Sequence, residues 1–90
     1  RGKVVSLATF GDDEAEAMEV IALEGSKLID TPLNQLKLPR GVIVGAIMSH
    51  DQMVIPNGET VINAGDRIVF FVQTAVRSKL EKLLVGTERL

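Results

Sequence analysis

His50 is the single histidine of this 90-residue chain and cysteine is absent, so any metal site or nucleophile–imidazole couple would have to be built around one ring. Zinc and copper sites need several nitrogen or thiolate donors, and carboxylates added to one imidazole would make an oxygen-rich site for a hard cation. Lying between Ser49 and Asp51 in a short polar stretch, His50 reads as a solvated hairpin residue. The acidic run of Asp12, Asp13, Glu14 and Glu16 could hold Ca²⁺ or Mg²⁺. It lacks the alternating Asp-x-Asp-x-Asn-Gly spacing of an EF-hand loop, however, and reads as a solvated loop. Asp66 beside Arg67 has the residue types of a general base and its partner, yet an aspartate directly after a glycine turn is suited to folding its carboxylate back onto nearby amides. The glycines at positions 41, 45, 58 and 65 fit neither G-x-G-x-x-G nor a phosphate-cradling loop with Lys-Ser or Lys-Thr. Lys27, Lys37 and Arg40 flank a short predicted helix and could meet an anion, though such residues also serve as ordinary surface charges. No catalytic residue, no metal site and no cofactor is expected, which makes the chain non-enzymatic.

Composition narrows the partners. Apolar residues make up 46% of the chain but only three are aromatic, all Phe, so the core must be aliphatic. Without Trp or Tyr, and at a net charge of −2, the chain has neither stacking platforms nor a phosphate-neutralising face, so nucleic acid is not an expected partner. The longest apolar run, Val42 to Met48, falls far short of the roughly 20 residues that a bilayer helix needs, so direct membrane insertion is not expected either. No signal-peptide pattern is visible, and absent cysteine suits a reducing compartment. A chain of this length supports one core. Its start at Arg1-Gly2-Lys3, without an initiator Met, is expected of a piece excised from a longer chain.

The elements that must position these side chains follow from pattern. Val4 to Phe10 reads as a strand ending at Gly11-Asp12. Asp12 to Leu23 is evenly balanced, with helix formers first and alternation at Met18, Val20 and Ala22 after them. At Thr31-Pro32 an N-cap threonine and a proline at the first helical position predict a short helix of about two turns, with Leu33 and Leu36 on one face and a stop at Pro39 and Gly41. Val42 to Met48 reads as a strand covered on both faces, and Gly45 within it marks a bulge or a close backbone approach. Ser49 to Gln52 forms a hairpin corner, Asn57-Gly58 supplies residues tolerant of positive φ, and Val61-Ile62 is a brief strand. Ala64-Gly65 fits a type II turn before the strongest strand, Ile68 to Val72. Thr74 then caps an amphipathic helix to Val85, with Val76, Leu80, Leu83 and Leu84 on its apolar face and Gly86 beyond. The result is a small α+β domain with a mostly antiparallel sheet, a short helix after the second strand and a C-terminal amphipathic helix. Its apolar strands and its Leu33, Leu36 face exceed what one thin sheet and two helices can cover, so a homodimer is expected.

The order of residues says more than their chemistry. Leu28-Ile29, the Pro32 to Pro39 segment "PLNQLKLP", Gly41 to Ile47 "GVIVGAI", Ile55 to Ile62 "IPNGETVI" and Gly65-Asp66-Arg67-Ile68 together resemble the C-terminal lobe of the regulator of potassium conductance family, the TrkA C-terminal domain. The resemblance covers about three quarters of the chain and is specific as a set; the preceding "VVSLATFGDDEAEAMEVIAL" resembles the entry to the second such lobe in Trk potassium-uptake regulators. It implies a dimeric α+β fold in which Glu16 to Leu23 is extended. One domain over 1–90 follows, with its N-terminal strand at 4–10 and its core at 16–86.

The resemblance also implies a cytoplasmic place at the inner face of the cell membrane, reached through a membrane potassium transporter subunit, and a shape change when a small ligand binds. In this family nucleotide usually binds an N-terminal Rossmann lobe that is not among these 90 residues. Some C-terminal lobes bind cyclic di-adenosine monophosphate across the dimer crevice through an Asp-x-Arg pair, an Asn and a Pro. The Asp, Arg and Asn positions read Lys37, Pro39 and Ile43 here, while Pro56 and the apolar Leu33 agree, which argues against that ligand. A basic residue that often ends the apolar strand is Ser49. A small-molecule nucleotide ligand, if held at the crevice, would meet Leu33, Lys37, Arg40 and Pro56. The other reading is the same module attached to an anion or amino-acid permease, an antiporter or a transcription regulator.

Overall fold

The computed structural model describes residues 7–12 and 14–89. Among the described residues six strands form one antiparallel sheet: β1 (Leu7–Phe10), β2 (Ala15–Ala22), β3 (Val42–Ser49), β4 (Gln52–Val54), β5 (Arg67–Gln73) and β6 (Thr87–Arg89). Their order across the sheet is β1-β2-β5-β3-β4, with β6 also paired to β2. Because β5 occupies one edge of β2, β1 and β6 share the other: β1 lies along Ala15 to Met18 and β6 along Val20 to Ala22. One α-helix, α1 (Arg77–Leu83), follows a 3₁₀ turn at Thr74–Val76, and a second 3₁₀ turn lies at Leu33–Gln35. The α+β class and the mostly antiparallel sheet match the sequence reading, as does the extended course of β2.

Alternation builds the core. In β2, Glu16, Met18, Val20 and Ala22 are buried, while in β5 Ile68, Phe70 and Val72 are, and registration places Met18 opposite Phe70 and Val20 opposite Ile68. Ile47 of β3 completes the row beside Ile68. Leu80 and Leu84 from the helical end, with Leu28 and Ile62 from the loops, close over this face. Each such side chain, removed from water, contributes about 1.5–3 kcal/mol.

Turn chemistry is local and clear in places. The corner between β3 and β4 is the two-residue turn His50-Asp51, both at positive φ (50° and 63°), the geometry that matches strand twist. Gly65 takes φ +94° at the third position of a turn in which the Asp66 amide donates to Asn63 O at 3.0 Å, and the Asp66 carboxylate accepts the Asn63 amide at 3.0 Å. Gly45 sits at a register shift between Val44 and Ala46, the bulge expected there. A Cβ on it would overlap the Phe71 ring, falling 2.7 Å from Cδ2.

Five details depart from the sequence reading. The two-turn helix capped by Thr31 is one 3₁₀ turn that ends where Leu36 becomes extended (ψ 139°); it has no side-chain cap, its leading amides at Leu33 and Asn34 donating instead to Thr60 O and Gly58 O, both at 2.9 Å. The helix expected from Thr74 opens as a 3₁₀ turn, the Thr74 amide donates to Glu14 O at 2.9 Å, and the α-helix starts only at Arg77. Asn57-Gly58 avoids positive φ and forms a turn closed by Thr60 N–H to Asn57 O at 3.1 Å. Val61 and Ile62 make single bridges to Pro32 and Ile29 rather than a strand. Finally, β3 is covered on one face only, since Ile43 is 64% exposed. The expected strand over 4–10 is seen for Leu7–Phe10, and residues 4–6 lie outside the described set.

Candidate functional site

Two hollows flank the first 3₁₀ turn. The Leu33 and Asn34 amide bonds tie that turn to the 57–60 loop, whose shape is set by Asn57 Oδ1 accepting the Glu59 amide at 2.8 Å and Thr60 Oγ1 accepting the Asn57 amide at 2.9 Å. Leu33 and Pro56 are thereby brought together in a groove of about 250 Å³, with Leu38, Val42 and Ile43 along its wall. Its polar side chains are the amides of Asn34 and Asn57, and no ionisable side chain lines it among the described residues.

The predicted ligand residues do not all converge. Lys37 lines the second hollow, on the side of α1, with Lys27, Leu36 and Leu83. Arg40 is exposed on the connection from Leu38 to Gly41 and lines neither hollow. Leu38 lines both. Asn34, Gln35, Thr31 and Gly58 also line these hollows; the sequence marks Thr31 and Gly58 only as cap and turn residues and leaves Asn34 and Gln35 inside a helix, because only the loop pairing shows which sides of the turn are open.

The residues first weighed for chemistry are dispersed or occupied. Glu16 is buried and paired with Arg77 at 3.0 Å, while Asp12 and Glu14 are exposed in the turn before β2; Asp13 lies outside the described residues. His50, Asp51, Asp66 and Arg67 do share a hollow of about 300 Å³. Within it Asp66 is 5% exposed and holds the Asn63 amide, and Arg67 pairs with Glu19 at 3.2 Å. Among the described residues no group of three His, Asp or Glu side chains is placed to hold a metal ion.

The uncovered face of the sheet is the other feature. Ile43 stands opposite Phe71, Ala46 opposite Val69, and Met48 opposite Met53. Ile43, Phe71, Met53 and the following Ile55 are 64%, 38%, 63% and 72% exposed. A Glu19–Arg67 ion pair borders this patch at one end. Burial alternates along β5, so with Ile68, Phe70 and Val72 inward Phe71 faces outward, which the continuously apolar run Ile68 to Val72 does not signal by itself.

A one-sided antiparallel sheet, sealed by a short helix and tethered loops and flanked by two hollows, defines a small α+β fold. The chain belongs to the TrkA-C domain family, whose model matches residues 17–85. It is similar to two proteins of Methanosarcina mazei named Trk system potassium uptake protein TrkA homolog 1 and homolog 2, at 33% identity over 88% of this chain and 36% over 89%. It is also similar to the Trk system potassium uptake protein TrkA of Azorhizobium caulinodans, at 32% over 92%. The chain spans 18% of the length of each of these relatives. Among the described residues no helix is long and apolar enough to cross a membrane.

Proposed function

We propose that this chain is a single regulatory and dimerisation domain of a cytoplasmic potassium-uptake regulator, acting without catalysis on a membrane potassium transporter at the inner face of the membrane. Family membership and the names of the relatives support the transport context. The observation that carries the dimer is the bare apolar face of β3, β4 and β5. Ile43, Phe71, Met53 and Ile55 leave on the order of 400 Å² of apolar surface exposed, the size of the largest patch on a typical monomer, which is often functional. Half-buried Ala17, Ala46, Val69 and Met48 extend it towards the roughly 800 Å² per partner of a standard interface. A second copy is the occupant that fits, because two identical flat aliphatic faces are self-complementary about a twofold axis and leave no charge unpaired at the centre.

In this reading the Leu33–Pro56 groove, which runs to Ile43 at the border of that face, takes a small-molecule ligand, a nucleotide among the candidates. Lys37 and Arg40 lie on the adjoining connection outside the groove lining, and Lys37 lines the other hollow. Ligand and transporter couple if the ligand favours one of two arrangements of the paired copies. Sedimentation equilibrium of the chain and of Ile43→Asp tests the dimer. The parent should sediment as a dimer at micromolar concentration and the variant as a folded monomer; a monomeric parent at high micromolar concentration refutes the pairing. Introduced into the full-length protein, the same substitution should lower potassium uptake in cells that depend on it.

A further inference from the structure

We propose that the hollow between the first 3₁₀ turn and the end of α1 is a separate site for a small organic anion, a carboxylate or phosphate monoester carrying an apolar body. Its volume of about 400 Å³ falls in the lower part of the range of small-molecule sites, roughly 300–1,000 Å³. Leu28 (2% exposed), Leu36, Leu38 and Leu83 give it an apolar lining. Lys27 and Lys37 line it as well, both are exposed, and neither is paired with a carboxylate among the described residues. No acidic side chain lines the hollow, although the chain as a whole is acidic at net charge −2. The lysines are therefore a local excess of positive charge beside an apolar surface. That pairing suits a ligand with an anionic head and an apolar tail, since each ammonium offers charge-assisted hydrogen bonds to an anionic oxygen. The Thr31 hydroxyl and Gln35 amide add neutral hydrogen-bonding groups.

The walls are held before any ligand arrives. The Leu28 amide donates to Oγ of buried Ser26 at 3.0 Å, fixing the segment that carries Lys27, and the Leu36 amide donates to Leu33 O at 3.1 Å, fixing the one that carries Lys37. A preformed site loses less entropy on binding. The assignment does not depend on dimerisation, because none of these residues lies on the bare sheet face.

Phenyl phosphate titrated into the chain and followed by amide NMR is the test, with inorganic phosphate and benzyl alcohol as the head-only and tail-only probes. Phenyl phosphate should bind with Kd near or below about 1 mM and shift the amides of Lys27, Thr31, Gln35 and Leu83. Each half-probe should bind at least roughly tenfold more weakly. The double variant Lys27→Gln and Lys37→Gln, whose exposed side chains leave the fold intact, should lose phenyl phosphate binding by a similar factor. Inorganic phosphate binding as well as phenyl phosphate would mean an adventitious ion only. Shifts centred on Asn34 and Ile43, affinity unchanged in the double variant, or no binding at all would each overturn the assignment.

Discussion

Replacing Arg77 by methionine removes the countercharge of Glu16, a carboxylate on the covered face of the sheet whose side chain is 7% exposed. Arg77 Nη1 lies 3.0 Å from Glu16 Oε1, and its Nε lies 3.1 Å from Glu81 Oε2. At 3.0 Å and an effective dielectric of about 20, the gross attraction to Glu16 is about 5.5 kcal/mol. Part of that is offset in the parent by dehydration of the guanidinium, which is 28% exposed. The link to Glu81, four residues on and partly exposed, adds only about 0.3–0.5 kcal/mol. Methionine keeps the apolar stem of the side chain, so the loss reports charge rather than packing.

The expected cost of Arg77→Met is thus about 2–4 kcal/mol, which for a urea slope of about 1–1.5 kcal/mol per molar moves the unfolding midpoint down by about 2 M with the slope unchanged. Converting both partners to methionine removes the stranded carboxylate, and the double variant should return to within about 1 kcal/mol of the parent. The cycle of parent, two single variants and double variant, measured at one protein concentration, gives the coupling directly. A loss below about 1 kcal/mol for Arg77→Met, or additive single effects, would refute the claim that this pair pins α1 to β2.

Two further substitutions probe the sheet and its corner. Gly45→Ala should swing the Phe71 ring off the backbone and out from the sheet, changing the ring's proton shifts and costing about 1 kcal/mol, read as a fall in Tm of about 4–8 °C; adding Phe71→Ala should relieve the clash. Asp66→Ala should cost about 1–3 kcal/mol in urea by leaving the Asn63 amide without its acceptor, and Asp66→Asn should cost less because it keeps an acceptor oxygen; equal losses would show that the carboxylate does not hold the turn.

Much of the fold is legible because its causes are local. The strand at Ile68 to Val72 is legible in its apolar, β-prone run, whereas its period-two burial, which turns Phe71 outward, shows only in the folded chain. The corner at His50-Asp51 and the turn at Gly65 follow from short polar residues and one glycine. The site was legible only in pieces. Leu33 and Pro56 line one groove, Lys37 lines another hollow and Arg40 lines neither.

What the sequence settled by itself was the aliphatic core, the antiparallel plan and the shortage of reactive groups, because each depends on residue type and near neighbours. Three things were decided only in the folded chain. The segment at 32–36 is one turn tied to carbonyls at 58 and 60, with Leu36 extended, rather than the start of a helix; Glu16 is buried beside the Arg77 that α1 presents; and Thr87–Arg89 became β6 because its backbone pairs with Val20 to Ala22 of β2. In each case the deciding partner is remote along the chain or set by pairing elsewhere, and a hydrogen-bonding or charged group takes the partner that folding brings to it rather than the one its neighbours suggest.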